Sequence, residues 1–176
     1  MGARNDDLFS VDSDYDFTLG FAVPKVTHIW ESQVIIPKPK VLFLRPVSDI
    51  QLRLLLGSIA ELLGRDLRVH SGDRDYRPKG SPRRSLHLAH RAADLHVNGM
   101  TDDQAFRLLL ALRTKLPTND IHRYQLIHHG QFTETEAEHI HIGDYPLITG
   151  LALGPGVTCL VEGMTPQTKG KYSRAA

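Results

Sequence analysis

Ten histidines accompany a single cysteine, Cys159, in this 176-residue chain. A multi-cysteine zinc cage is therefore excluded, and any metal must be held by imidazoles and carboxylates. Catalytic zinc takes three such protein ligands and keeps one position for water, so the test is whether three can converge. His87, Asp94 and His141 are the candidates. Ala93, Leu95 and Val97 alternate with Asp94, His96 and Asn98, the period-two pattern of a strand with one polar face, and Asp94 lies on that face. His87 stands just before this strand, and Leu86, Leu88, Ala92 and Ala93 give the pair an apolar surround. His139 and His141 share one face of a later predicted strand, 139–142. His96, His128 and His129, on or beside predicted strands, are read as structural.

The elements that must position these residues follow from spacing and punctuation. Ser48 with Gln51 predicts a capping box, and Ile50, Leu54, Leu55, Ile59, Leu62 and Leu63 recur at helical spacing until Gly64 ends the run. Thr101 with Gln104 predicts a second box, opening a helix to about Leu116 with Ala105, Leu108, Leu109 and Leu112 on its buried stripe. Short strands are expected at Val34–Ile36, Val41–Leu44, Leu67–His70, Tyr124–His128, Leu147–Leu153 and Val157–Val161, besides those at 93–98 and 139–142. A Gly-, Pro- and Arg-rich loop, 71–84, separates the first helix and its following strand from His87. The expected fold is α+β, with a small, largely antiparallel sheet packed with a few helices and the zinc site on the sheet. Residues 1–19 read as an acidic, loosely ordered arm, 20–164 as one domain and 165–176 as a frayed tail.

Composition narrows the function. Lysine and arginine (21) balance aspartate and glutamate (20), so net charge makes no case for a nucleic-acid or membrane partner. No apolar run approaches the ~18 residues of a membrane span. The polar, acidic start fits neither a signal nor a transit peptide, so the chain is expected to be made in the cytoplasm and to act on any external target after release. A monomer is expected.

Three blocks, in order, carry a resemblance. Ser71-Gly72-Asp73-Arg74 follows a predicted strand; Ser85, His87 and Asp94 follow the loop; Glu138-His139-Ile140-His141 follows the second helix. Together they resemble the zinc D-alanyl-D-alanine metallopeptidases and the related L-alanyl-D-glutamate endolysins, a group structurally akin to hedgehog signalling domains. The resemblance spans about Ser48 to Asp144 and implies that His87, Asp94 and His141 bind zinc. It also implies that Glu138 is the general base, Arg74 a catalytic and substrate-contacting group, and Ser85 a substrate contact. His90 stands where the family has glycine, and Asp73 replaces its usual aromatic residue. Glu136-Ala137-Glu138-His139 fits a pattern similar to the third block, so His139 is the alternative third ligand.

The implied reaction is hydrolysis of an amide in peptidoglycan stem peptides, of the D,D-carboxypeptidase or L,D-endopeptidase type, in cell-wall lysis or remodelling. Arg74 suits a substrate carboxylate or a tetrahedral oxyanion. Two other readings use the same residues. One is a zinc-binding module of the same fold without turnover, suggested by His90 and Asp73; the other is a metal-dependent nuclease in which Arg74, Arg77, Lys79, Arg83, Arg84 and Arg91 grip phosphates.

Overall fold

The spacing of leucines after Ser48 folds as a helix, α1 (Ile50–Leu63), in a computed structural model that describes residues 37–77, 85–117, 122–133, 137–146 and 156–176. Asp49, not Ser48, caps it: the Asp49 carboxylate accepts the Leu52 amide at 3.0 Å, while the Ser48 amide donates to Asp73 at 2.8 Å. An ionised cap also favours the positive end of the helix dipole. The buried face is Leu52, Leu55, Leu56, Ile59 and Ala60, with Ile50 and Leu54 turned to solvent. Gly64 ends the helix in the left-handed region, φ 62°.

Around α1 lie β1 (Val41–Phe43) and β2 (Leu67–Ser71), followed by β3 (Ala92–Val97) and α2 (Asp102–Ala111). Then come β4 (His122–His129), β5 (His139–Pro146), β6 (Gly156–Glu162) and β7 (Tyr172–Arg174). The reciprocal Thr101–Gln104 capping box opens α2 as its sequence requires. The helix stops at Ala111 and passes into a 3-10 turn, Arg113–Lys115, short of Leu116. Phe106, rather than Leu108, joins Ala105 and Leu109 on the buried stripe.

Among the described residues seven strands form one sheet in the order β1-β2-β3-β5-β4-β6-β7. It is mixed rather than largely antiparallel, because β1 runs parallel to β2 and β4 parallel to β6. The first of these joins has a plain cause: α1 carries the chain back between β1 and β2, a crossover that only parallel neighbours need. β7 extends the edge from the stretch expected to fray, and Ala175 packs against the core. The described elements all fall in the compact unit Ile36–Ala176. The acidic arm 1–19, the segment 34–36, the strand expected at 147–153 and Lys79, Arg83 and Arg84 lie outside the described residues.

One face of the sheet is the core. Leu67, Val69, Ala93, Leu95, Leu126, Ile140 and Ile142 are buried there with the apolar faces of α1 and α2, each buried leucine or isoleucine contributing ~1.5–3 kcal/mol. Cys159 is buried beside them, and burial pushes its thiol above the ordinary value. Among the described residues no helix is long and apolar enough to cross a membrane.

Candidate metal centre

On the opposite face, antiparallel register sets Asp94 of β3 beside His141 of β5. A bulge in β2 between Val69 and Ser71 shifts the pairing so that Ser71 also meets Asp94. Bulges re-aim side chains in this way beside functional sites. His87 arrives from the turn 85–90, whose Leu88, Ala89 and His90 amides donate to the carbonyls three residues back, each at 3.1 Å. The Arg91 amide then closes the turn on the Leu86 carbonyl at 2.9 Å. His90 N–H to His87 together with Arg91 N–H to Leu86 is the Schellman pair that ends a helical turn, and it places His90 at the left-handed position, φ 58°. His90 is the one described residue other than glycine with positive φ. The glycine that the resemblance implies there would take this conformation without strain.

His87, Asp94 and His141 form a buried group whose donor atoms all lie within 4.8 Å of one another. Oδ1 of Asp94 is 3.0 Å from Nε2 of His87 and 2.8 Å from Nδ1 of His141, and the two nitrogens are 3.3 Å apart. Ligands about 2.0–2.1 Å from a tetrahedral metal stand roughly 3.3 Å apart, a spacing the two nitrogens match, while the carboxylate oxygen sits closer to each of them at hydrogen-bond distance. The hydrogen bonding of His87 agrees. Its Nδ1–H donates to the Gly72 carbonyl at 2.7 Å, which turns Nε2 toward the Asp94 carboxylate and His141. The set can hold a metal ion.

Charge states suit the same role. Burial alone would raise the Asp94 carboxyl, but hydrogen bonds and charge from His141 and His87 hold it well below the ordinary carboxylate range. Burial depresses His141 below the ordinary imidazole value, against the pull of Asp94. An ionised carboxylate, and an imidazole at His141 biased toward its neutral form, are what metal ligation needs.

The Ser71–Arg74 block is the support of this centre. Nη2 of Arg74 donates to Asp94 Oδ2 at 3.1 Å, and its Nε donates to the Ser71 hydroxyl at 3.0 Å. The Arg74 amide meets the His87 carbonyl at 3.1 Å. Gly72 must be glycine, since a Cβ would stand 2.1 Å from the Pro46 carbonyl oxygen. Asp73, in the place of an aromatic residue, ties Pro46 and Ser48 down by accepting the Ser48 amide and donating its own to the Pro46 carbonyl at 2.8 Å. Gly143, two residues past His141, leaves room for Leu86, whose Cδ1 would be 2.3 Å from an added Cβ.

Arg74 therefore belongs to the centre through Asp94. Ser85 starts the turn that delivers His87, its carbonyl accepting the Leu88 amide. Glu138 is placed differently: its carboxylate bonds Nε2 of the buried His128 at 2.9 Å, and it lines a cleft shared with Arg74 and His139. Of the two β5 histidines, His141 completes the group. His139 stands on the same face with Nε2 3.6 Å from Asp94 Oδ1 and Nδ1 committed to the Ala137 carbonyl at 2.6 Å. Glu136 lies outside the described residues.

A row of imidazoles surrounds the centre, in which His96 and His129 are read from the sequence as structural residues beside strands and His70 has no assigned role. His129 is hydrogen bonded to Glu162, stacks on His139 with centroids 4.5 Å apart and meets the edge of His141. His70 stacks on His96, which is held by Asp102 at 3.0 Å. Only strand pairing reveals the row, because its members come from four different strands. No protein family, curated protein or solved structure matches this chain.

Proposed function

We propose that the chain is a zinc-dependent peptidase of hedgehog-like fold that hydrolyses an amide bond in peptidoglycan stem peptides. The observation that carries this reading is the buried, supported His87–Asp94–His141 group, whose neighbours Gly72, Arg74 and His139 line a cleft. Two imidazoles and one carboxylate are a catalytic rather than a cage-type zinc set. Zinc held by them would supply Lewis-acid activation of a carbonyl and of water.

The remaining work falls to the chain. Arg74 and the Gly72 carbonyl fix the orientations of Asp94 and His87. Glu138, at the cleft wall, holds or releases a proton through a carboxylate that is 42% exposed and paired with His128. Ser85 contributes a neutral contact.

A second reading is favoured by one feature: Glu138 is engaged by His128, and Arg74 by Asp94, so both groups assigned to the reaction have structural partners. That arrangement suits a metal-binding module without turnover. Glu138→Gln separates the two. In a peptidase, stem-peptide hydrolysis falls by ~100-fold or more while one metal per chain is retained; absence of hydrolysis in metal-loaded wild type leaves the module.

A further inference from the structure

The cleft beside the centre encloses about 850 Å³ and is walled by Arg45, His70, Asp73, Arg74, Tyr76 and Glu138, among others. That size suits a small organic ligand or a few peptide residues. Most of its charges are already paired. Arg74 is held by Asp94 and Ser71, Glu138 by His128, and the Oδ2 oxygen of Asp73 by the Ser48 amide. Arg45 is different. It lies just past β1 in an exposed position, and among the described residues it makes no hydrogen bond or ion pair.

We propose that Arg45 anchors the free terminal carboxylate of the peptide whose amide lies at the metal centre. This rests on the peptidase reading and deepens it, because such an anchor makes the enzyme act at chain ends. The topology sets the scale. β1 and β3 are separated by β2 alone, so these strands lie two strand spacings apart, about 10 Å, and Arg45 follows the end of β1 by two residues. Extended peptide covers about 3.5 Å per residue, so a separation of that order is spanned by roughly three residues. A planar guanidinium pairs with a carboxylate in a two-bond fork that an amide cannot reproduce. Arg74, the arginine the sequence assigns to a substrate carboxylate, is occupied in orienting Asp94, which leaves the task to Arg45.

The test is binding of paired stem peptides, one ending in a free carboxylate and one in a carboxamide, to zinc-loaded wild type, Arg45→Ala and Arg45→Lys, by titration calorimetry. A third peptide keeps the terminal acid and replaces its internal glutamate with glutamine. Wild type should favour the terminal acid over the amide by roughly 10- to 100-fold, as expected for a charge-assisted bond. Arg45→Ala should erase that preference without weakening the amide, and Arg45→Lys should retain part of it. Equal affinity for acid and amide, or no binding of either, overturns the anchor. A preference that follows the internal glutamate instead also overturns it, as the group bound is then a side-chain carboxylate. Hydrolysis is followed separately: retained acid preference without cleavage sinks the peptidase reading and leaves the anchor standing.

Discussion

The carbonyl of Gly72 accepts the Nδ1 proton of His87 at 2.7 Å, and this one bond joins two blocks that lie fifteen residues apart in sequence. It fixes the tautomer that presents Nε2 to Asp94. The glycine is fixed in turn by Pro46, whose carbonyl oxygen would be 2.1 Å from any Cβ at this position. Gly72→Ala must displace backbone rather than a flexible side chain. It should cost about 2–3 kcal/mol of stability and weaken metal binding ~10-fold or more. Urea unfolding and a competitive metal titration check both parts, and a variant with wild-type metal affinity would detach the Gly72 carbonyl from the orientation of His87.

His87→Ala and His141→Ala should each lose the metal ion. His139→Ala should keep it, because His141 approaches Asp94 and His87 more closely than His139 approaches Asp94. Elemental analysis after dialysis decides this. Loss of metal in His139→Ala alone would make His139 the ligand in its place.

The sequence makes much of this centre legible, and the reason is local. Asp94 is readable because β3 alternates strictly, and His87 because it directly precedes that strand. The capping box of α2 and the end of α1 at Gly64 depend on residues a few positions apart. What is lost depends on pairing between distant segments. The parallel joins of the sheet follow from how strands are connected, and β7 has a wholly exposed sequence with no periodicity to mark it. The bond from Arg74 to Asp94 spans a loop and a bulge, so a residue type suited to binding substrate is found supporting a ligand.

In metal-free protein, stability should fall in two stages as pH drops. Below the ordinary histidine value of about 6.5 the unfolded chain takes up a proton at His141, whereas burial keeps the folded imidazole neutral until a lower pH. The folded state is thereby disfavoured from pH 6.5 downward. Asp94 acts later. Its folded carboxyl is held well below 3.8, so the stability it contributes above that pH is lost as pH falls from 3.8 through the folded value. Urea midpoints measured in chelator should show the first loss diminished in His141→Gln and the second in Asp94→Asn. A flat midpoint from pH 7 to 5 in the wild type would contradict the first stage.

His90→Gly should stabilise the protein. The Schellman turn that delivers His87 holds residue 90 at φ 58°, and a side chain in that region costs roughly 1–2 kcal/mol. Glycine removes this strain but loses about 0.5–1 kcal/mol through the greater freedom of the unfolded chain. What the imidazole gains in return is small. Its contact with Asp75 at 3.3 Å joins side chains that are 45% and 97% exposed, a pair of little worth in water. The net gain should be about 0.5–1 kcal/mol, or ~1–4 °C in melting temperature for a chain of this size. His90→Ala, which keeps the strain and removes the contact, should be neutral or slightly destabilising. Metal affinity should be unchanged or improved in His90→Gly, because the turn that aims His87 is relaxed rather than altered. If thermal melting instead showed a lower midpoint for His90→Gly than for His90→Ala, the imidazole itself would be holding the turn, and His90 would have to be counted among the groups that support the centre.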